Sequence, residues 1–152
     1  MADAHEYYME LAIKEAKIAG QIGEVPVGAI LVSENGEILS AAHNLTIKLV
    51  DPTAHAEILA LRKAALEINN YRLLNTTLYV TVEPCIMCMG AIVHARISRV
   101  VFGTTDPKWG AAGSLYNVAE DDRLNHHVEI ITGARAEDCR RLMQDFFRAK
   151  RD

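Results

Sequence analysis

The stretch from Thr77 to Gly103 limits what this chain can fold into more than any other. Thr77–Val82 is short, apolar and rich in β-branched residues, the composition of a strand. Glu83-Pro84 ends it and opens a helical stretch over residues 85–95, and Arg99–Gly103 reads as a strand again. Strand, helix and strand within about thirty residues make a βαβ unit. The two strands therefore lie parallel, joined by a right-handed crossover whose helix covers one face of a sheet.

The rest of the chain adds to that unit. Residues 5–20 carry Tyr8, Leu11, Ala12, Ala16 and Ala19 at helical spacing, with Gly23 as a stop. Val27–Val32 predicts a strand, Asn35-Gly36 a hairpin turn, and Glu37–Ala42 its antiparallel partner. Asp51-Pro52-Thr53 reads as an N-cap followed by proline, starting a helix over 54–68 with Ile58, Leu61, Ala65 and Ile68 on one face. After a loop punctuated by Pro107, Gly110 and Gly113, a short helix is expected over 115–119 and a last strand over Val128–Thr132. Glu137–Lys150 closes the chain as a helix anchored by Leu142, Phe146 and Phe147. Antiparallel strands followed by parallel ones, with helices on both faces, predict an α/β fold: a three-layer α/β/α sandwich around a mixed sheet.

Composition narrows the functional classes. The chain has 152 residues, 50% apolar and 24% charged, which suits a single domain over 1–152. Sixteen Lys+Arg against twenty Asp+Glu leave a net charge of −4, which argues against a generic charge-driven nucleic-acid binder while leaving room for a local basic patch. Three cysteines, two of them as Cys85-x-x-Cys88, do not make a disulfide framework. The opening Met1-Ala-Asp-Ala-His-Glu-Tyr-Tyr is charged and amphipathic, and no apolar run reaches the ~18 residues of a membrane span. The expectation is a cytoplasmic protein without signal peptide or membrane partner.

Two helix starts hold residues with chemistry. The first reads Thr53-Ala54-His55-Ala56-Glu57 and the second Glu83-Pro84-Cys85-Ile86-Met87-Cys88. Cys85 and Cys88 lie in one helical turn, so both thiols can face one point, and a helix N-terminus favours thiolates. His55 adds an imidazole. Two sulfurs and one nitrogen suit tetrahedral zinc with one position left for water, the arrangement of a catalytic rather than a structural site. Two thiolates already offset the metal's charge, so such a site needs a strong base beside it. Glu57 is placed to take a proton from the attacking water and deliver it to a leaving group. Together these residues match the His-x-Glu…Pro-Cys-x-x-Cys signature of zinc deaminases of bases. Cys139 reads as a small buried hydrophobe, with a closed Cys3His structural site as its alternative.

The chain resembles the bacterial tRNA-specific adenosine deaminases of the cytidine-deaminase-like superfamily over nearly its whole length. The most specific stretches are Glu24-Val25-Pro26-Val27-Gly28-Ala29, Asp51–Glu57 and Leu78–Cys88; Gly110-Ala111-Ala112-Gly113-Ser114 and Asp145-Phe146-Phe147-Arg148 also match. The resemblance implies a five-stranded mixed sheet, a homodimer, one zinc per subunit and conversion of the wobble adenosine of a tRNA anticodon stem-loop to inosine. By the same resemblance His55, Cys85 and Cys88 are the zinc ligands and Glu57 the proton shuttle. Asn44 holds the target nucleoside, Asp106 and Lys108 lie near the anticodon backbone, and Phe147 lies close to the bound loop. The chain departs from the family at Leu45-Thr46, Trp109 and His127, all expected on the RNA approach surface. Six Lys/Arg against four acids between residues 134 and 152 predict a basic rim near the zinc site.

Three other readings stand at this point: a deaminase of a free base or nucleoside on the same fold, a structural zinc module that binds RNA without catalysis, and a thioredoxin-like redox protein using Cys85 and Cys88. The last would leave His55-x-Glu57 idle.

Overall fold

A computed structural model describes residues 2–151. In chain order the elements are α1 (Ala2–Gln21), β1 (Gly28–Ser33), β2 (Ile38–His43), α2 (Ala56–Ile68), β3 (Thr76–Val82), α3 (Ile86–His94), β4 (Arg99–Thr104), β5 (Glu129–Thr132) and α4 (Ala136–Arg151). The strands form one sheet in the order β2-β1-β3-β4-β5. β1 runs antiparallel to both neighbours, whereas β3, β4 and β5 are parallel. The expected five-stranded mixed sheet is what forms, and β3-α3-β4 is the βαβ unit read from the sequence.

Alternation along the strands divides the apolar residues between two cores. Ala29, Leu31, Leu78, Val80, Val100 and Phe102 face α2 and α3. Ile30, Val32, Tyr79 and Val101 face the other way, where Met9 and Ala12 of α1 and Cys139 of α4 pack against them. The layers are therefore α1 and α4 on one face, the sheet, and α2 and α3 on the other. Among the described residues no helix is long and apolar enough to cross a membrane.

Three local expectations are corrected. Residues 115–119 form an irregular loop rather than a helix, held by a bridge between Ala112 and Asn117 and by the Leu115 and Tyr116 amides on the Gly110 carbonyl. The Val118 amide donates to the Ala111 carbonyl at 3.0 Å and the Tyr116 carbonyl accepts from the Gly113 amide at 2.9 Å, so backbone groups that a helix would pair locally are taken by upstream residues. Asp51 does not cap α2: its Oδ1 accepts from the amide (2.8 Å) and hydroxyl (2.7 Å) of Thr53, and the helix starts only at Ala56. Of the apolar residues assigned inward, Ile68 is 41% and Phe147 42% exposed, Ile68 as the last residue of α2 and Phe147 on the cavity side of α4.

The end of α1 follows the sequence closely. Gly23 adopts φ +85°, and the Glu24 and Gly23 amides close back on the Ala19 and Gly20 carbonyls at 2.9 and 3.2 Å. This left-handed closure, which glycine alone adopts without strain, turns the chain so that Glu24 points inward at the start of the Val25–Val27 segment.

Candidate active site

With β1 antiparallel to β2 and β3, the start of β1 and the ends of β2, β3 and β4 meet at one edge of the sheet. In open α/β sheets ligands bind outside the carboxyl ends of parallel strands, and a cavity of about 1020 Å³ opens at this edge. Both α2 and α3 begin there. Their N-cap residues are His55 (φ −74°, ψ 152°) and Cys85 (φ −76°, ψ 176°), and neither side chain caps its own helix. Caps are usually Ser, Thr, Asp or Asn. Here both side chains are left for one another.

The resulting cluster is tight. Cys85 Sγ lies 3.6 Å and Cys88 Sγ 3.4 Å from His55 Nδ1, and all three donor atoms fall within 4.8 Å of one another. Zinc–ligand bonds of ~2.3 Å to sulfur and ~2.0–2.1 Å to nitrogen give a sulfur–nitrogen edge of about 3.6 Å in a tetrahedron. The donor set fits zinc by element and by spacing. His55 and Cys85 are half-buried and line the cavity, while Cys88 is fully buried behind them. Cys139 packs in the opposite core, where burial pushes its thiol up to about 12, so a fourth sulfur does not close the site.

Protons in this cluster are shared. A hydrogen bond with Cys88, aided by His55 and opposed by burial, draws the Cys85 thiol down to about 4, while the same contact pushes Cys88 up. His55 is raised by its hydrogen bond with Cys85. A cation held between the sulfurs takes over the protons' role, leaving both as thiolates. Glu57, second residue of α2 and 4% exposed, faces the same cavity. Burial raises its carboxyl to about 7, with its own backbone amide and His55 pulling the other way. A carboxyl in that range takes up and gives back a proton near neutrality.

Asn44 supplies what His55 does not. Its Oδ1 accepts from the Ala56 amide at 2.7 Å, so a side chain from the end of β2 caps α2 and leaves the amide NH2 group at the cavity wall.

Two buried carboxylates missed by sequence reasoning hold the cavity's flanking loops. Glu24, 1% exposed, accepts from the amides of Ile47 (3.1 Å) and Lys48 (2.9 Å) and the hydroxyl of Thr46 (3.3 Å). Glu83, 3% exposed, accepts from the amides of Asp106, Ala112 and Ser114, each at 3.0 Å, and from the Ser114 hydroxyl. Each lies in one of the stretches that carry the family resemblance, but as an isolated acid at the border of an apolar run it gives no sign of its partners.

Asp106, Lys108 and Phe147 also line the cavity, but Asp106 Oδ1 is engaged by the amides of Lys108 (3.1 Å) and Trp109 (3.2 Å). The third wall is α4. Of the six cations expected to form a rim, Arg140, Lys150 and Arg151 border the cavity, Arg140 while also paired with Glu137 at 2.6 Å. Arg135 pairs instead with Asp138 and Glu10, Arg141 with Glu137, and Arg148 with Asp145. Thr46 and Trp109 lie on the cavity, whereas Leu45 packs against the core on the α2 side of the sheet and His127 lies in a separate depression beside Asp122.

Residues 2–104 match the family model described as the cytidine and deoxycytidylate deaminase zinc-binding region. The chain is 50% identical to a tRNA-specific adenosine deaminase of Haemophilus influenzae over 147 residues, covering 97% of this chain and 85% of the relative. The chain belongs to the tRNA-specific adenosine deaminase family. The relative of that name from Bacillus subtilis is 48% identical over 146 residues, covering 96% of this chain and 90% of its own. A solved structure from a study of A-to-I editing by tRNA A34 deaminases at the wobble position of transfer RNA superposes with a TM-score of 0.86 at 40% identity, covering 90% of this chain and 98% of that one. Membership makes the chain a zinc-dependent deaminase, which removes the redox protein and the non-catalytic zinc module from the readings left open above.

Proposed function

We propose that this chain converts adenosine at the wobble position of a tRNA anticodon to inosine, releasing ammonia. The observation that carries the reading is the placement of His55, Cys85, Cys88 and Glu57 at one cavity bordered by Lys108, Arg140, Lys150 and Arg151. The substrate follows from the relatives, which are tRNA-specific adenosine deaminases. Free-base deamination on the same fold is less well supported. The cavity, about 1020 Å³, sits at the upper end of the roughly 300–1,000 Å³ of small-molecule pockets, and its cations have no phosphate to meet on a free base.

His55, Cys85 and Cys88 would hold zinc, which when bound supplies the Lewis acidity that activates water for attack. Glu57 accepts a proton from the attacking water and places it on N1 of the adenine as the C6–O bond forms. It then takes the proton of the new C6 hydroxyl and passes it to N6 as the C6–N6 bond breaks, releasing ammonia. Its burial keeps that carboxyl ready to exchange protons rather than permanently ionised. The Asn44 amide NH2 is offered to the nucleoside, while its Oδ1 fixes the start of α2 and with it His55 and Glu57. Lys108 and the α4 cations meet phosphates, and Phe147 meets the loop. Asp106 acts on the RNA through the loop it shapes. A loop nucleotide is already partly unstacked, so flipping it into the cavity costs less than in a duplex.

The same reading carries a single domain over 1–152, a homodimer and a cytoplasmic location. The exposed apolar side chains of Leu66, Tyr71 and Leu74, at and beyond the end of α2, support a surface for a second copy.

The test is Glu57→Ala, assayed for zinc and for ammonia release from an anticodon stem-loop. Zinc stays at one per chain and the rate falls by about 10²–10⁴, the usual worth of general acid–base catalysis. Surviving activity, or loss of the metal, contradicts the role given to Glu57.

A further inference from the structure

We propose that Trp109 is a stacking platform for a nucleobase flanking the reacting adenosine; the inference rests on the RNA reading above. Trp109 is the chain's one tryptophan and is 68% exposed. It belongs to neither core, yet it lines the cavity that holds His55 and Glu57. A large indole facing water is unfavourable, and a mobile loop would fold it away.

This loop is tied down on both sides of the indole. Before the indole, Asp106 Oδ1 accepts from the Lys108 and Trp109 amides, and the Asp106 carbonyl takes the Gly110 amide at 2.8 Å. After it, Glu83 holds the Ala112 and Ser114 amides, and the Cys85 and Gly110 backbones pair as a bridge. Trp109 is thus presented on a fixed pedestal, tied through Glu83 and Cys85 to the start of α3.

Its surroundings select the occupant. Lys108 precedes it, and α4 brings a second exposed ring, Phe147, to the same cavity together with Lys150 and Arg151. Flat rings among cations suit a flat π-system joined to phosphates, which is single-stranded nucleic acid. With the reacting base turned down towards His55 and Glu57, its neighbours are left at the rim where the indole stands.

The sole tryptophan makes the test direct. Zinc-loaded Glu57→Ala protein, whose slowed turnover leaves the bound RNA intact during the titration, is titrated with an anticodon stem-loop carrying adenosine at the wobble position, and intrinsic emission is followed alongside anisotropy of the labelled RNA. Emission falls as the RNA binds, and the change disappears when either the 5′ or the 3′ neighbour is made abasic. In the otherwise unaltered enzyme Trp109→Ala raises KM by about 5- to 150-fold, the worth of one base–aromatic stack, Trp109→Phe recovers most of the loss, and the abasic RNA costs the Ala variant nothing further. RNA binding with unchanged emission, or an unaltered KM in Trp109→Ala, overturns the platform. So does emission that shifts with protein concentration alone, which would give the indole to a second copy. A stem-loop that the unaltered enzyme does not deaminate at all overturns the RNA reading, and the platform with it.

Discussion

Gly110 packs so closely on Glu83 that a Cβ at residue 110 would overlap the carboxyl carbon and both of its oxygens. The contact joins the residue before the Pro84-Cys85 turn to the loop that forms one wall of the cavity. Gly110→Ala therefore has to displace a carboxylate that holds three amides and a hydroxyl. The expected cost is about 1–3 kcal/mol, as for overpacking elsewhere, read as a lower denaturant midpoint, with a raised KM for RNA because Lys108 and Trp109 sit on the displaced loop.

Glu24 and Glu83 make stability depend on pH. Burial alone would raise both carboxyls, but the hydrogen bonds from Lys48, Ile47 and Thr46 to Glu24, and from Ser114, Asp106 and Ala112 to Glu83, hold each below its ordinary value. A carboxyl lowered on folding stabilises the native state above its unfolded pKa, about 4.3 for Glu, and this contribution is lost as pH falls through the folded values. Thermal unfolding of Glu24→Gln and Glu83→Gln beside the unaltered chain should show a gap that is constant from neutrality down to about pH 5 and narrows below about pH 4. A gap that widens on acidification contradicts the assignment.

The two buried cysteines should behave oppositely. Cys88 stands 3.4 Å from His55 Nδ1, whereas Cys139 lies in the core between α1, α4 and the sheet. Cys88→Ala should lower the zinc content well below one per chain and abolish deamination. Cys139→Ala should keep the metal and cost about 1 kcal/mol, as an average core substitution does. Metal analysis and chemical denaturation of the two variants decide it.

The basic border predicts an ionic-strength signature on a chain whose net charge is −4. Affinity for the stem-loop should fall linearly in log–log coordinates as salt rises, and Lys108→Ala and Lys150→Ala should each reduce the slope by about 0.7, the single-strand value per phosphate. Arg148→Ala, whose guanidinium is turned to Asp145, should leave the slope as it is.

The zinc donors are legible in the sequence because metal chemistry dictates both residue type and spacing: Cys85-x-x-Cys88 fits one helical turn, and His55-x-Glu57 opens another. The strands are legible from their β-branched runs, and the βαβ unit from its length. What places those residues is less visible. Asp51-Pro52-Thr53 carries every mark of a cap, but the cap of α2 comes from Asn44, twelve positions before the amide it holds. Glu83 reads as the acid before a helix, yet its partners lie 23 to 31 residues ahead and meet it only once β3 and β4 are paired. Of the cations near the end of the chain, periodicity does not tell which border the cavity: Arg140 does so while held by Glu137, whereas Arg135 and Arg148 pair with Glu10, Asp138 and Asp145.

The central claim is tested most directly by mapping inosine in an anticodon stem-loop that carries adenosines at the wobble position and elsewhere in the loop, with free adenosine and guanine assayed in parallel. Inosine should form at the wobble position alone, with one zinc per chain and no comparable ammonia release from the free compounds. Turnover of a free base or nucleoside that matches or exceeds that of the stem-loop would contradict the account.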